Sequence, residues 1–144
     1  MMNERLSSIM TKNVVTVKSD DSLEVVKKLL FEKHFHHLPV VDDDNKLCGI
    51  VTSWDLIKKN IRFEDYGGLK VHDVMTKKVV KLGPKELVGA AAMIFLKHLF
   101  HGLPIVDDNG ALVGIVTTHD ILKYEFKKEY PDDAFIRETN WIES

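Results

Sequence analysis

With 144 residues, 44% of them hydrophobic, and a formal net charge of -2, the chain is sized for one ordinary domain or a tight tandem pair. It carries no long Lys/Arg run of the kind that attracts nucleic acid or an anionic membrane surface. The one cysteine, Cys48, can form no internal disulfide, the opening MMNERLSSIM holds no apolar leader, and no apolar stretch approaches the roughly 20 residues of a bilayer span, so a cytoplasmic protein without membrane contact is expected.

Along the chain, the first extended run is VVTV, residues 14–17. A helix follows its turn: Leu23, Val26, Leu29 and Leu30 recur at helical spacing after an acidic start, Asp20-Asp21. Two short β-branched runs, LPVVD and LCGIV, then flank DDNK, which predicts a hairpin. SWDLIKK is a second helix. The stretch IRFEDYGGLK, 61–70, reads as a link with a turn at Gly67-Gly68. After it the same order returns. VVKL is extended. Pro84 fits the first turn of a helix whose buried stripe is Val88, Ala91, Ala92 and Phe95. LPIVD and ALVGIV flank DDNG, and THDILKYEF closes as a helix that Pro131 should end. In the tail, Phe135, Ile136, Trp141 and Ile142 can form a short apolar face, packed on its own module, on a dimer mate or on another protein.

The two halves are copies. At a constant offset of 65, with no gap, 19 of 49 positions are identical between Met10–Lys58 and Met75–Lys123. Pro39 falls on Pro104, Gly49 on Gly114, Thr52 on Thr117 and Asp55 on Asp120. The expected division is 1–66, 67–127 and a tail, 128–144. Neither copy alone hides its apolar stripes. Two copies packed sheet to sheet, with helices outside, would bury one shared core.

Each copy ends its last strand in a Thr-x-x-Asp turn, GIVTSWD (Gly49–Asp55) and GIVTTHD (Gly114–Asp120). One reading is a capping box, in which hydroxyl and carboxylate satisfy first-turn N–H groups. The other uses the same atoms on a nucleoside phosphate: the acid accepts from ribose hydroxyls, and the helix end suits phosphate. Gly49 and Gly114 would let a ligand approach closely. No lysine or arginine adjoins the motif, so phosphate charge must fall to backbone, hydroxyls, histidines or a partner chain.

The elements MT-x-x-VV, F-H-x-LP-[VI]-VDD and GIVT-x-x-D followed by [LI]-[IL]-K, each present twice in register, resemble a pair of CBS domains. This tandem unit is named after cystathionine β-synthase and often called a Bateman module. The resemblance implies an α/β (α+β) fold of two βαββα motifs with pseudo-twofold symmetry, two small sheets packed together and helices outside. It implies a regulatory module, not an enzyme, that needs no cofactor and often forms a homodimer. Members bind AMP, ADP, ATP, S-adenosylmethionine or NAD between the motifs and signal to a regulated protein, which the sequence does not identify. Carried over, site one would join Thr117, His119 and Asp120 to Val15, Thr16, His37, Leu38 and Pro39. Site two would join Thr52, Trp54 and Asp55 to Val80, Lys81, Gly102, Leu103 and Pro104. The acid would hold the ribose, apolar residues would sandwich the adenine, and backbone groups would read its edge. Site one is expected to be the better nucleotide site, because His37 and His119 can approach phosphate where site two has Gly102 and the bulky Trp54. Trp54 can stack on a base, block the cleft, or pack on a helix or dimer contact.

The histidines of HFHHLPVVDDD (His34–Asp44) suggest a metal, but the acids lie a strand away, some 15 Å off at about 3.3 Å per residue. His34 is expected to end the first helix, and His36 and His101 to be structural at the helix-to-strand turn. His37 alone is expected to touch a ligand. Cys48, aligned with Val113, is expected to be a buried small hydrophobe. Two further classes remain open: a structural dimerisation module whose Thr-x-x-Asp turns only cap helices, and a metal-binding protein or metal-assisted hydrolase. The latter is disfavoured, since no nucleophile–base pair and no P-loop is present.

Overall fold

In the computed structural model, which describes residues 2–99 and 101–132, the β-branched runs beside the Asp/Asn turns pair as hairpins. β1 (His37–Val41) lies antiparallel to β2 (Leu47–Thr52), and β3 (Gly102–Val106) to β4 (Leu112–Thr117). The acidic runs build the turns. Asp42 Oδ1 accepts the N–H groups of Asp44 and Lys46, both at 2.9 Å, and Asp107 Oδ1 accepts those of Asn109 and Ala111 at 2.9 and 3.0 Å. Asn45 (φ 63°) and Gly110 (φ 83°) fill the left-handed position that such turns demand. The two tips are joined: Asn45 Nδ2 donates to the Leu112 carbonyl at 2.9 Å, and the Leu112 N–H to the Asn45 carbonyl at 3.0 Å.

The first helix, α1 (Leu23–Lys27), is capped by Ser22, whose hydroxyl accepts the Glu24 N–H at 3.1 Å, and runs on as a π-helical turn, Lys28–Glu32. α2 (Ser53–Lys59), α3 (Val88–Lys97) and α4 (Thr118–Glu129) complete the helices. α4 stops before Pro131, as that ring requires. Pro84 departs from expectation. It sits four residues ahead of α3, in a turn where the Gly83 N–H donates to Glu86 Oε2 at 2.7 Å, and its carbonyl accepts the Ser7 N–H at 3.0 Å. The N-terminal segment holds this stretch outside the helix. His34 lies beyond the π-helical turn, with φ 62°. The apolar tail residues Phe135, Ile136, Trp141 and Ile142 lie outside the described residues.

VVTV and VVKL contribute less than full strands: each makes one parallel bridge, Val17 to Val40 and Leu82 to Ile105. The other edge of each hairpin is taken by the opposite repeat. Thr11 pairs with Ile115 and Thr76 with Ile50, each through two backbone hydrogen bonds of 2.9 and 3.0 Å. This corrects the role expected for the two strand glycines. A Cβ on Gly49 would lie 2.7 Å from the Thr76 carbonyl oxygen. One on Gly114 would lie 2.5 Å from Met10 Sδ and 3.0 Å from the Thr11 carbonyl oxygen. The glycines admit the chain of the other repeat at close range.

Strand alternation then sorts the buried residues. Leu38, Val40 and Val51 pack with Leu23, Val26, Leu56, Tyr66 and Val71. Leu103, Ile105 and Val116 pack with Leu6, Val88, Ala91 and Ile121. There are thus two helix-facing cores rather than one shared core. Pro39, Ile50, Pro104 and Ile115 are buried on the opposite faces, where the two small sheets pack together with helices outside. Cys48 is exposed, against expectation. The register steps from Val40–Gly49 to Val41–Leu47, so Cys48 is the bulged residue without a cross-strand partner. Among the described residues, no helix is long and apolar enough to cross a membrane.

Candidate functional site

The hairpin registers bring the two Thr-x-x-Asp turns side by side. His37 pairs with Thr52 and Gly102 with Thr117, and the equivalent residues His37 and Gly102 meet across the pseudo-twofold axis. Both turns are capping boxes. The Asp55 N–H donates to Thr52 Oγ1 at 3.4 Å and the Thr52 N–H to Asp55 Oδ2 at 2.8 Å; the matching distances at Thr117 and Asp120 are 3.2 and 2.8 Å. Each threonine hydroxyl also donates to its acid, at 3.2 and 3.0 Å. Both acids are buried, at 4% and 6% exposure. A second repeat residue, Thr76, donates its hydroxyl to Asp55 Oδ1 at 2.9 Å, and Lys58 Nζ stands 3.9 Å from the same oxygen.

A cavity of about 540 Å³ opens beside Asp55. Thr52, Trp54, Asp55, Val80 and Gly102 of expected site two line it, and so do His37, Thr117 and His119 of expected site one. Lys81, Leu103 and Pro104 of site two do not line it, nor do Val15, Thr16, Leu38, Pro39 and Asp120 of site one. Leu38 and Leu103 are wholly buried in the two helix-facing cores, so their side chains point away from any cleft. Trp54 is 64% exposed at the cavity wall.

Several lining residues escaped the sequence reading. Lys58 and Lys78 both line the cavity, whereas Lys81, the lysine expected in site two, does not. Lys58 was findable, since three residues past Asp55 on a helix is one turn along the same face. Lys78 belongs to the opposite repeat's lead-in, and no local spacing points to it. His36 and His101 are exposed and line the cavity, so the turn is not their whole setting. His37 lines the cavity as a neutral ring. Burial, then the neighbouring His36 and His101, lowers its pKa to about 4, so the ring is neutral near pH 7. Its buried Nδ1 has no hydrogen-bond partner among the described residues. Among those residues no group of three or more His, Cys, Asp or Glu is placed to hold a metal ion. Chemically, the cavity offers a buried carboxylate, two ammonium groups and the apolar surfaces of Ile50, Val80 and Trp54.

Known proteins share this arrangement. The sequence profile of the CBS domain matches residues 6–61 and 71–127. Inosine-5'-monophosphate dehydrogenase of Bifidobacterium longum is 39% identical over 130 residues, which is 90% of this chain but only 23% of that enzyme's length. The CBS domain pair of protein MJ0100, solved with 5-methylthioadenosine and S-adenosyl-L-methionine, matches with TM-score 0.76 and 32% identity over 88% of this chain and 98% of that one. CBSX2, a CBS-pair protein from Arabidopsis thaliana, solved in complex with AMP, matches with TM-score 0.77 and 29% identity over 87% and 98%. Two tandem profile matches, the repeat register and the superposition of the whole pair agree: the chain belongs to the CBS domain family.

Proposed function

We propose that the chain is a regulatory module that binds an adenosine-containing nucleotide in the Asp55 cavity and passes the change to a regulated protein. The observation that carries this reading is the cavity of about 540 Å³ with a carboxylate, Asp55, and two lysines, Lys58 and Lys78, on its walls. Its size suits small-molecule ligands, whose sites run from about 300 to 1,000 Å³. The AMP complex of CBSX2 and the adenosyl ligands of MJ0100 support the adenosine class.

The chemistry of each part follows. An ionised carboxylate has about four acceptor positions. Asp55 uses three of them on the Thr52 N–H and on the hydroxyls of Thr52 and Thr76. That leaves about one for a ribose hydroxyl, and a second ribose contact needs a threonine hydroxyl to turn away. Val80, Ile50 and Trp54 supply apolar surface for the adenine. Lys58 and Lys78 meet phosphate charge, which favours AMP, ADP or ATP over S-adenosylmethionine, whose sulfonium is itself cationic. Of the site one residues, His37, Thr117 and His119 line this same cavity and Val15, Thr16 and Asp120 do not, which supports putting the ligand against Asp55. The role of α2 is to carry Asp55 and Lys58.

A homodimer is part of the same reading. Ile57 on α2 and Leu122 on α4 are equivalent positions, each 66% exposed, and Trp54 adds to the α2 face. Pairing these faces with those of a second copy would cover them symmetrically. The same faces are what favours the alternative, a dimerisation module without ligand.

Calorimetric titration with AMP, ADP, ATP, S-adenosylmethionine and NAD separates the two. Saturable binding is expected with the phosphate-bearing ligands, weakened about ten-fold or more by Asp55→Asn and by Lys78→Ala, a loss of about 1.4 kcal/mol. No heat with any ligand, and an unchanged melting temperature at high ligand, would leave the dimerisation module.

A further inference from the structure

Four of the chain's seven histidines, His36, His37, His101 and His119, line the Asp55 cavity. The fold gathers them from distant positions. His36 and His101 are equivalent in the two repeats, and each stands just ahead of the first strand of its hairpin. Those strands begin in contact, since a Cβ on Gly102 would lie 2.9 Å from Cγ of His37. His119 comes from the first turn of α4. Among the described residues no such group is placed to hold a metal ion, so the rings are not gathered as a set of metal ligands. His36 and His101 are exposed and exchange protons with solvent directly, and a charge on either disfavours one on the more buried His37. The other ionisable groups on the walls are Asp55, Lys58 and Lys78, two ammonium groups against one carboxylate. Their net of one positive charge falls short of a phosphate monoester, which carries about −1.5 to −2 at pH 7. Apolar walls sharpen the shortfall, because charge is less screened there than in water. Imidazole is the side chain whose charge ordinarily changes between pH 5 and 8, and a nearby anion favours its charged form.

We infer that nucleotide binding in this cavity is proton-linked: as the phosphate enters, the imidazoles of His36, His101 and His119, with His37 behind them, take up protons from solvent and supply the positive charge that Lys58 and Lys78 leave missing. This rests on the reading of the Asp55 cavity as a nucleotide site. Linkage is reciprocal, so a ligand that draws protons in binds more tightly as pH falls, and the module reads nucleotide and pH together. The window is bounded below by the phosphate itself. Its second pKa is about 6, and beneath it the ligand loses the charge that the rings answer.

The test is calorimetric titration of AMP into the full chain in two buffers of different ionisation enthalpy, HEPES and Tris, between pH 8 and 6.5. The difference in heat between buffers counts the protons taken up. About half a proton or more is expected at pH 7, with AMP affinity rising about three-fold or more per pH unit. Adenosine, which lacks the phosphate, should take up none. In His36→Gln with His101→Gln the uptake should fall by half or more and the pH slope should flatten. Thermal melts verify folding, and the two single variants serve if the pair does not fold. AMP binding without proton uptake overturns the linkage and leaves the nucleotide reading standing. So does an uptake that adenosine matches, or one that the histidine variants leave unchanged. No AMP binding by wild type overturns the nucleotide reading, and the linkage with it.

Discussion

The Thr76 hydroxyl, which belongs to the second repeat, donates at 2.9 Å to Oδ1 of Asp55, which belongs to the first. Lead-in and acid are thereby one unit: the segment that completes the first sheet at Ile50 also orients the carboxylate that faces the cavity. Folding of either repeat alone would leave Asp55 without this donor.

Thr76→Val tests that coupling. Hydrogen bonds to charged groups contribute about 1.5–3 kcal/mol, so a loss in that range is expected by urea denaturation. Thr76→Ser, which keeps the hydroxyl, should lose less than half as much. Equal losses in the two variants would show that the methyl group, and not the bond, matters at this position.

The strand glycines give an ordered pair. A Cβ at Gly49 meets a backbone carbonyl at 2.7 Å, which cannot step aside without breaking the Thr76–Ile50 pairing. At Gly114 the nearest atom is the flexible Met10 thioether, with the Thr11 carbonyl oxygen at 3.0 Å. Overpacking costs about 1–3 kcal/mol. Gly49→Ala should fall at the upper end of that range and Gly114→Ala at the lower, read as midpoints of denaturant unfolding.

His37 predicts an acid-side loss of stability. Its folded pKa of about 4 lies below the ordinary 6.5, so the unfolded chain takes up the proton first. The contribution is intact above pH 6.5 and disappears as pH falls from 6.5 toward 4. At about 1.4 kcal/mol per pH unit the loss reaches about 3 kcal/mol. Unfolding free energies across this window should slope in wild type and flatten in His37→Phe, which keeps a ring against Gly102 but cannot titrate.

The lysines predict a ligand preference. Lys78→Ala should weaken AMP several-fold more than adenosine, because the ammonium group serves the phosphate and not the base. Raising ionic strength should shrink that difference, since a Debye length of about 10 Å at 0.1 M shortens as salt rises. Parallel titrations of the two ligands at low and high salt measure it.

Much of the architecture was readable along the chain. Leu23, Val26 and Leu30 mark a helical face, β-branched runs about Asp/Asn turns mark hairpins, and Thr-x-x-Asp marks the start of α2 and of α4. These are patterns between near neighbours, and local hydrogen bonding enforces them. Pro84 misled because proline at a first helical turn is only one of its uses, and here the N-terminal segment claims its carbonyl. Cys48 misled because a bulge shifts the register by one residue, and a one-residue shift changes the face. The candidate site divides the same way. Thr52 and Asp55 were legible from their spacing, whereas Lys78 and His36 reach the cavity only through the crossing of lead-in and hairpin.

The chain thus carries its element order, its repeat register and its paired acidic turns in plain view, because those depend on period and on bonds a few residues long. The swap of Met-Thr lead-ins between sheets, the division into two cores and the cavity that joins Asp55 to Thr117 and His119 came from folding. They depend on contacts between residues far apart in sequence, such as His37 against Gly102. Steric exclusion acts only between atoms that the fold has already brought into contact, and no spacing along the chain encodes it.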